Sequence, residues 1–366
     1  MMVSIWLRCL EKLKYGKIIW MKKEAIFGLE RETLTARFVS WGFKSYKVKQ
    51  LFAWLYQRKI FKPELMSDLS KSFCQYLAEN YDFSLLEVQR KQISTDGTVK
   101  LLFSCKDGEL VETVIMAHGY GHSVCVSSQV GCLMGCRFCA SGLLKKVRDL
   151  SAAEMVLQVL QAEAVSGSRL DNVVVMGSGE PFDNYPEVLK FLNIVNDDWG
   201  LAIGARHLSV STCGIPDGIR QLAREKPYNL AVSLHAADDR LRSELMPINR
   251  AYPLSEIKTA LIEYQVHRNR RISLEYILLK NVNDRPEDAE NLKRFVSGIR
   301  NVYVNLIPYN PVLECGYQGV SEMAALKFYD LLKKKKIAVT LRNRHGDDID
   351  AACGQLRNRE VEGERQ

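Results

Sequence analysis

Gly131-Cys-Leu-Met-Gly-Cys-Arg-Phe-Cys-Ala-Ser-Gly142 sets three cysteines, Cys132, Cys136 and Cys139, at C-x3-C-x2-C spacing. Iron–sulfur clusters are normally held by four thiolates. A run of three, followed by glycine and small residues rather than a nearby fourth cysteine, can hold a four-iron cluster while leaving one iron open to an external ligand. Zinc is the competing occupant. Structural zinc takes four closed ligands, and no cysteine or histidine follows here at ribbon or finger spacing.

The surroundings of that loop set the fold class. Beyond residue 120, strand-like runs at Ser123–Ser128, Asn172–Met176, His207–Ser211, Asn229–Leu234, Ile272–Leu278, Tyr303–Ile307 and Ile337–Leu341 alternate with helical ones. Such alternation predicts parallel strands joined by crossover helices. One of those helices marks its own start, because Ser151-Ala-Ala-Glu154 is a capping box ahead of Met155, Val156, Val159 and Leu160. The expectation is an α/β fold, a partial (β/α) barrel of the TIM type, with its chemistry at the carboxyl ends of the strands. The cysteine loop follows the first of these strands, where such a site belongs.

Upstream the pattern differs. Residues 21–84 read as a helical accessory domain, with Val48, Leu51, Phe52 and Leu55 at helical spacing and Lys44, Lys47, Lys49, Arg58 and Lys59 on the flanks. That basic flank is either solvated or in contact with phosphates. Residues 85–118 form a linking β-hairpin segment, a small antiparallel sheet turned at Asp96-Gly97 and Asp107-Gly108. The core spans 119–356, and 357–366 reads as a polar tail. Met21-Lys-Lys-Glu24 is a plausible start, so residues 1–20 are either an N-terminal extension or a short basic amphipathic helix.

Composition narrows the class of protein. The 366 residues are 47% hydrophobic and 26% charged, ordinary values for a globular protein. No apolar run is long enough to span a bilayer, and Arg8, Glu11 and Lys12 interrupt the start where a signal peptide would be apolar. A cytoplasmic protein with no membrane partner is expected. Ten scattered cysteines suit a reducing compartment, where thiols serve metals and catalysis. A net charge of +8 is a modest pointer to a polyanionic partner.

Further residues carry chemistry. Val173-Val-Val-Met-Gly-Ser-Gly-Glu-Pro181 is an apolar strand that breaks into Gly177, Gly179 and Glu180. Glycines admit close approach of a ligand to the backbone, and Glu180 can pair with a ligand ammonium; an ordinary strand-to-helix turn would look the same. Two isolated cysteines, Cys125 and Cys353, are by residue type alone best read as small buried hydrophobes.

The cysteine spacing, with Phe138 before the last thiol, resembles the signature of the radical S-adenosylmethionine (SAM) enzymes, in which the amino acid end of SAM chelates the open iron. The segments Cys125-Val-Ser-Ser-Gln-Val-Gly-Cys132, Gly177-Ser-Gly-Glu-Pro181, Ser211-Thr-Cys-Gly214, Ser233-Leu-His235, Met246-Pro-Ile-Asn249, Asn305-Leu-Ile-Pro-Tyr-Asn-Pro311 and Gly346-Asp-Asp-Ile-Asp-Ala-Ala-Cys-Gly-Gln-Leu356 together resemble the RlmN/Cfr family of radical SAM RNA methyltransferases, from about residue 40 to 356. The resemblance implies a radical SAM barrel holding a [4Fe-4S] cluster on Cys132, Cys136 and Cys139. It implies cofactor contacts from Gly179, Glu180, Ser211, Ser233, Leu234, His235 and Asn310. The implied reaction is methylation of carbon 2 of adenosine 2503 in 23S ribosomal RNA and of adenosine 37 in tRNAs, with two SAM molecules per turnover. Cys353 would take a methyl group from the first, and a radical from the second would activate it for addition to the ring. Glu112 would accept the departing proton, and Cys125 would release the RNA adduct through a transient disulfide with Cys353.

The implied partners are 23S rRNA, tRNA and an electron donor such as flavodoxin, with the enzyme a monomer. Ser178 and Cys213 depart from the family's usual methionine and serine, and Pro181 favours carbon 2 over the carbon 8 product of Cfr-type relatives. Two other readings stay open: a radical SAM enzyme for a protein or small molecule, which needs neither Cys125 nor Cys353, and a non-catalytic metal-containing RNA-binding protein.

Overall fold

The computed structural model describes residues 23–119, 121–143, 145–342, 346, 348–350 and 354–363. Residues 1–22 and Cys353 therefore lie outside the described residues. After residue 23 come three short helices, α1 (Arg31–Ser40), α2 (Tyr46–Phe52) and α3 (Lys71–Asn80), with α2 running on into a wider turn at Ala53–Gln57. Val48, Leu51, Phe52 and Leu55 are all fully buried, as their spacing predicts. Phe38, Phe43, Phe73, Tyr76 and Tyr81 interlock edge-to-face or tilted, the arrangement favoured by ring quadrupoles.

Two aspartate–glycine turns then fold three strands into an antiparallel ribbon: β1 (Glu87–Ile93), β2 (Val99–Ser104) and β3 (Leu110–His118). Gly97 and Gly108 sit at φ +83° and +86°, which glycine adopts without a steric penalty. β3 pairs antiparallel with β4 (Gly121–Val126), and from β4 onward every strand pairing within this sheet is parallel. The strands that follow are β5 (Asn172–Val175), β6 (Leu208–Thr212), β7 (Asn229–Ser233), β8 (Ile272–Leu278), β9 (Val302–Pro308) and β10 (Val339–Leu341). The order β10-β9-β8-β7-β6-β5-β4-β3-β2-β1 makes one open ten-stranded sheet. The linking ribbon is thus continuous with the partial barrel through β3 and β4.

The crossovers are α4 (Ala152–Ser166), α5 (Tyr185–Asn196), α6 (Pro216–Leu222), α7 (Asp239–Leu245), α8 (Leu254–His267), α9 (Pro286–Val296) and α10 (Glu322–Lys334), with α11 (Gln355–Gly363) at the end. The capping box of α4 is present, Ser151 Oγ accepting from Glu154 N while Ser151 N donates to Glu154 Oε2. The helical segment shares its core with the barrel: Ile26 and Phe27 belong to the same apolar cluster as α4, and a side chain at Gly28 would meet Ala153 N at 3.1 Å. Residues 357–363 belong to α11, and Arg357 and Asn358 are buried against the core, so the polar tail expected from 357 begins inside a docked helix.

Candidate active site

The cysteine loop leaves β4 through Gln129–Val130, which pairs with Arg148–Asp149 and closes its base. The backbone of the loop is pinned from below: Arg137 N donates to Leu245 O (2.9 Å), and Tyr309 Oη donates to Phe138 O (2.9 Å). The Phe138 ring meets His235 edge-on at 4.9 Å. Its floor is apolar, built from Cys213, Ala236, Leu245, Met246, Leu279 and Tyr309. Glycine is required at Gly142, where a Cβ would stand 2.8 Å from Cys136 O.

Electrostatics at the three thiols fit an iron cluster. Burial pushes the Cys136 thiol well above its usual range, and the neighbouring Cys139 and Cys132 push it further. Burial likewise raises Cys132. Thiols crowded like this ionise only when a cation arrives to offset desolvation and mutual repulsion. Among the described residues no three His, Cys, Asp or Glu side chains converge on one metal ion. A cluster has no such need, since each thiolate meets a different iron.

The strand ends beside the loop supply close backbone and one carboxylate. Gly179 has φ +107°, and a Cβ there would lie 2.6 Å from Gln129 Cβ and 2.8 Å from Ser128 Oγ. At Gly177 a Cβ would be 2.7 Å from Ser127 N and Val126 O. Both positions let β4 and β5 close on each other, with Ser128 N and Gln129 N donating to Ser178 O. Glu180 is buried and accepts from Phe182 N (3.0 Å) and Cys213 N (2.7 Å). Burial raises its pKa, and those two backbone donors oppose the rise. A bound ammonium would therefore find a carboxylate already aimed and poorly hydrated.

His235, one residue beyond the Ser233-Leu234 strand end, sits at φ +57°, a strained value for a non-glycine residue. Its Nδ1 accepts from Ile277 N (3.1 Å) and its carbonyl accepts from Asn283 Nδ2 (2.8 Å). Burial, aided by the nearby Arg242 charge, lowers its pKa to about 3, so the ring is neutral with the proton on Nε2. Ser211 is buried on β6, Leu234 is fully buried, and Ser233 and Asn310 are half-buried at the ends of β7 and β9. Ser178 makes a hydroxyl pair with Ser141 (2.9 Å) and so ties the end of β5 to the cysteine loop.

On the other side of β4, register assembles a second group. Val114 pairs with Cys125 on one side and with Lys100 on the other, and Glu112 lies two residues along. Because side chains opposite one another share a face, Cys125, Lys100 and Glu112 occupy the face opposite Thr113, whose hydroxyl donates to Gln158 of α4. Glu112 is buried, although an exposed strand carboxylate would read the same in sequence; Glu109 is the partly exposed one. Glu112 Oε2 accepts from Lys100 Nζ (2.8 Å) and Gly354 N (2.6 Å), and Oε1 accepts from Arg357 N (2.8 Å).

Glu112 therefore caps α11 and fixes the residue that follows Cys353. Asn358 Nδ2 donates to Ala140 O (2.9 Å), and a Cβ at Gly354 would lie 2.8 Å from Ser141 Cα, so α11 also abuts the cysteine loop. Sequence reasoning missed Lys100, Arg357, Asn358 and Arg242. Of these only Lys100 left a trace, standing between Val99 and Leu101 where strand alternation puts it on the same face as Leu102.

An open parallel barrel with a three-cysteine loop at its strand ends defines a radical SAM enzyme, and residues 126–296 match the family model of the radical SAM superfamily. Residues 25–82 match the ribosomal RNA large subunit methyltransferase N-terminal domain. A probable dual-specificity RNA methyltransferase RlmN of Enterococcus faecalis is 48% identical over 353 residues, covering 94% of this chain and 99% of the relative. Its counterpart in Spiroplasma citri is 48% identical, with 91% and 97% covered. The crystal structure of a radical SAM methyltransferase from Sphaerobacter thermophilus superposes with a TM-score of 0.86 at 39% identity, covering 91% of this chain and 98% of that one. The chain belongs to the RlmN family of radical SAM RNA methyltransferases.

Proposed function

We propose that the enzyme methylates carbon 2 of adenosine 2503 in 23S rRNA and of adenosine 37 in tRNAs, using two SAM molecules per turnover. Cys132, Cys136 and Cys139 would hold a [4Fe-4S] cluster, which would supply the single electron for SAM cleavage and be recharged by a donor such as flavodoxin. Glu180 holds the cofactor's ammonium, Gly179 admits its backbone-side atoms, and Ser211, Ser233, Leu234, His235 and Asn310 complete its cradle. As a thiolate Cys353 would take a methyl group from the first SAM, releasing S-adenosylhomocysteine; the 5′-deoxyadenosyl fragment of the second SAM would remove one of its hydrogens, leaving 5′-deoxyadenosine, and the methylene carbon would add to the adenine carbon, the unpaired electron returning to the cluster as the ring proton leaves. Glu112 takes the proton that leaves that carbon; its three described donors leave room for one more hydrogen among about four lone-pair sites. The Cys125 thiolate would then attack the Cys353 sulfur, forming the S–S bond as the S–C bond to the RNA breaks; the released carbon takes up a proton to become the methyl group, and a two-electron thiol reductant restores both cysteines.

One observation carries this reading: the 2.6 Å hydrogen bond from Gly354 N to Glu112 Oε2. It ties the residue after Cys353 to the strand bearing the proton acceptor, on the face Cys125 shares. RNA would approach past α1 and α2, where Trp41 and Tyr46 are exposed near Lys44 and Lys49; aromatic rings and basic side chains together suit unpaired bases. Arg58 and Lys59 are engaged with Asp68 and Glu163 and belong to the fold. We place the enzyme in the cytoplasm as a monomer. Among the described residues, no helix is long and apolar enough to cross a membrane.

The test is anaerobic reaction of the iron-loaded protein with SAM and a 23S fragment containing the target adenosine, followed by mass spectrometry of nucleosides. The reading predicts 2-methyladenosine. An 8-methyl product would assign the chain to Cfr-type chemistry, and cofactor cleavage without methylated adenosine would overturn the RNA substrate.

A further inference from the structure

Arg242 is the bulkiest fully buried side chain among the described residues, and no carboxylate among them lies within ion-pair distance of it. Its guanidinium is held by neutral acceptors: Nη2 donates to Cys213 O (2.5 Å) and Ser233 O (3.2 Å), Nε to Leu234 O (3.1 Å), and Nη1 to Asn249 Oδ1 (2.7 Å). Asp239, whose charge acts on Arg242, makes no described hydrogen bond to it and instead accepts from Asn249 Nδ2 at Oδ1 (2.9 Å). A buried guanidinium is costly to desolvate, so a charge held this way calls for a counter-charge.

Arg242 adjoins the cysteine loop, where the cluster would supply that counter-charge. Cys213, whose carbonyl binds Arg242, places Sγ 3.3 Å from Met134 Sδ, and Met134 lies between Cys132 and Cys136. The same short helix α7 that carries Arg242 presents Leu245 O to Arg137 N of the loop. Four-iron clusters on three thiolates are net anionic, and gain a further negative charge on reduction.

We propose that Arg242 is a positioning residue that also acts electrostatically, stapling the ends of β6 and β7 that flank the cofactor site while its buried positive charge raises the reduction potential of the cluster. It rests on the cluster assignment above. It acts through the strand ends and the field beneath the loop rather than by touching substrate.

The test compares iron-loaded wild type, Arg242→Gln and Arg242→Lys by electron paramagnetic resonance during an anaerobic reductive titration. At the potential that half-reduces the wild-type cluster, the reduced-to-oxidised ratio in Arg242→Gln falls at least tenfold, about 59 mV for a one-electron couple. Arg242→Lys, which keeps the charge and loses the planar fork, stays near the wild-type ratio. Loading of iron by Arg242→Lys alone, at the wild-type potential, also supports the charge. Equal potentials in all three proteins overturn the proposal. So does loss of iron from both variants while their thermal unfolding stays cooperative, because shape alone would then explain the residue. A wild-type protein that takes up no iron overturns the cluster assignment instead.

Discussion

The two halves of the sheet that meet at β4 deliver the side chains of the proposed site by different rules. On the parallel side, the cysteine loop, Gly179, Glu180, Ser233, Leu234 and His235 all lie at or beyond the carboxyl ends of strands, where a barrel leaves its backbone open to ligands. On the antiparallel side, Lys100, Glu112 and Cys125 stand within strands, and cross-strand register alone brings them to one face. The parallel side holds its loop with hydrogen bonds to neutral groups and a distributed charge at Arg242. The antiparallel side concentrates a buried ion pair on the cap of α11. Loop residues on the first side should therefore be replaceable with little effect on stability and complete loss of function, whereas Glu112 should cost both.

The sharpest way to break that contrast is Cys136→Ala. Its expected result is loss of iron binding and of methylated product, with the unfolding midpoint of the iron-free protein unmoved; iron quantitation and a denaturant titration read both. Next in size is Glu112→Ala, which strips the carboxylate from a fully buried lysine and two backbone N–H groups of their acceptor. A cost of about 3–5 kcal/mol is expected. A cost under about 1 kcal/mol in the same titration would mean the pair is dispensable to the fold.

His235 tests the parallel side through pH. Its folded pKa near 3 lies below the unfolded value of about 6.5, so the unfolded chain binds a proton that the native ring refuses. Stability is thus lost as pH falls below about 6.5, by up to about 1.4 kcal/mol per unit from this one group. His235→Gln should flatten the pH dependence of the unfolding midpoint between pH 6.5 and 5, and an unchanged slope would mean the ring charges in the folded state. The smallest effect belongs outside both sites: Ser151→Ala should cost about 1 kcal/mol by uncapping α4.

The same division governs what could be read from the sequence. Strand ends on the parallel side follow from apolar runs broken by glycine, and the seven parallel strands fall within about two residues of the runs that predicted them. The cysteine spacing speaks for itself, and Ser151 with Glu154 announces a helix. Register across antiparallel strands is invisible in a single chain of letters. Nothing local to Lys100 says that it faces Glu112, and nothing in Gln355–Gly363 says that a polar segment buries Arg357 against Glu112 and Asn358 against the cysteine loop. Arg242 was illegible for a different reason: its acceptors are Asn249 and the carbonyls of Cys213, Ser233 and Leu234, and no local pattern says that an arginine on a short helix turns inward to meet them.

The most direct test of the assembled site is to follow wild type and Cys125→Ala with SAM and the 23S fragment under anaerobic conditions, and to map any protein–RNA adduct by mass spectrometry. The account predicts free 2-methyladenosine from wild type, and from the variant a covalent crosslink through Cys353 that accumulates in place of product. A variant that turns over like wild type with no adduct, or an adduct formed through another residue, would contradict the pairing of Cys125 with Cys353.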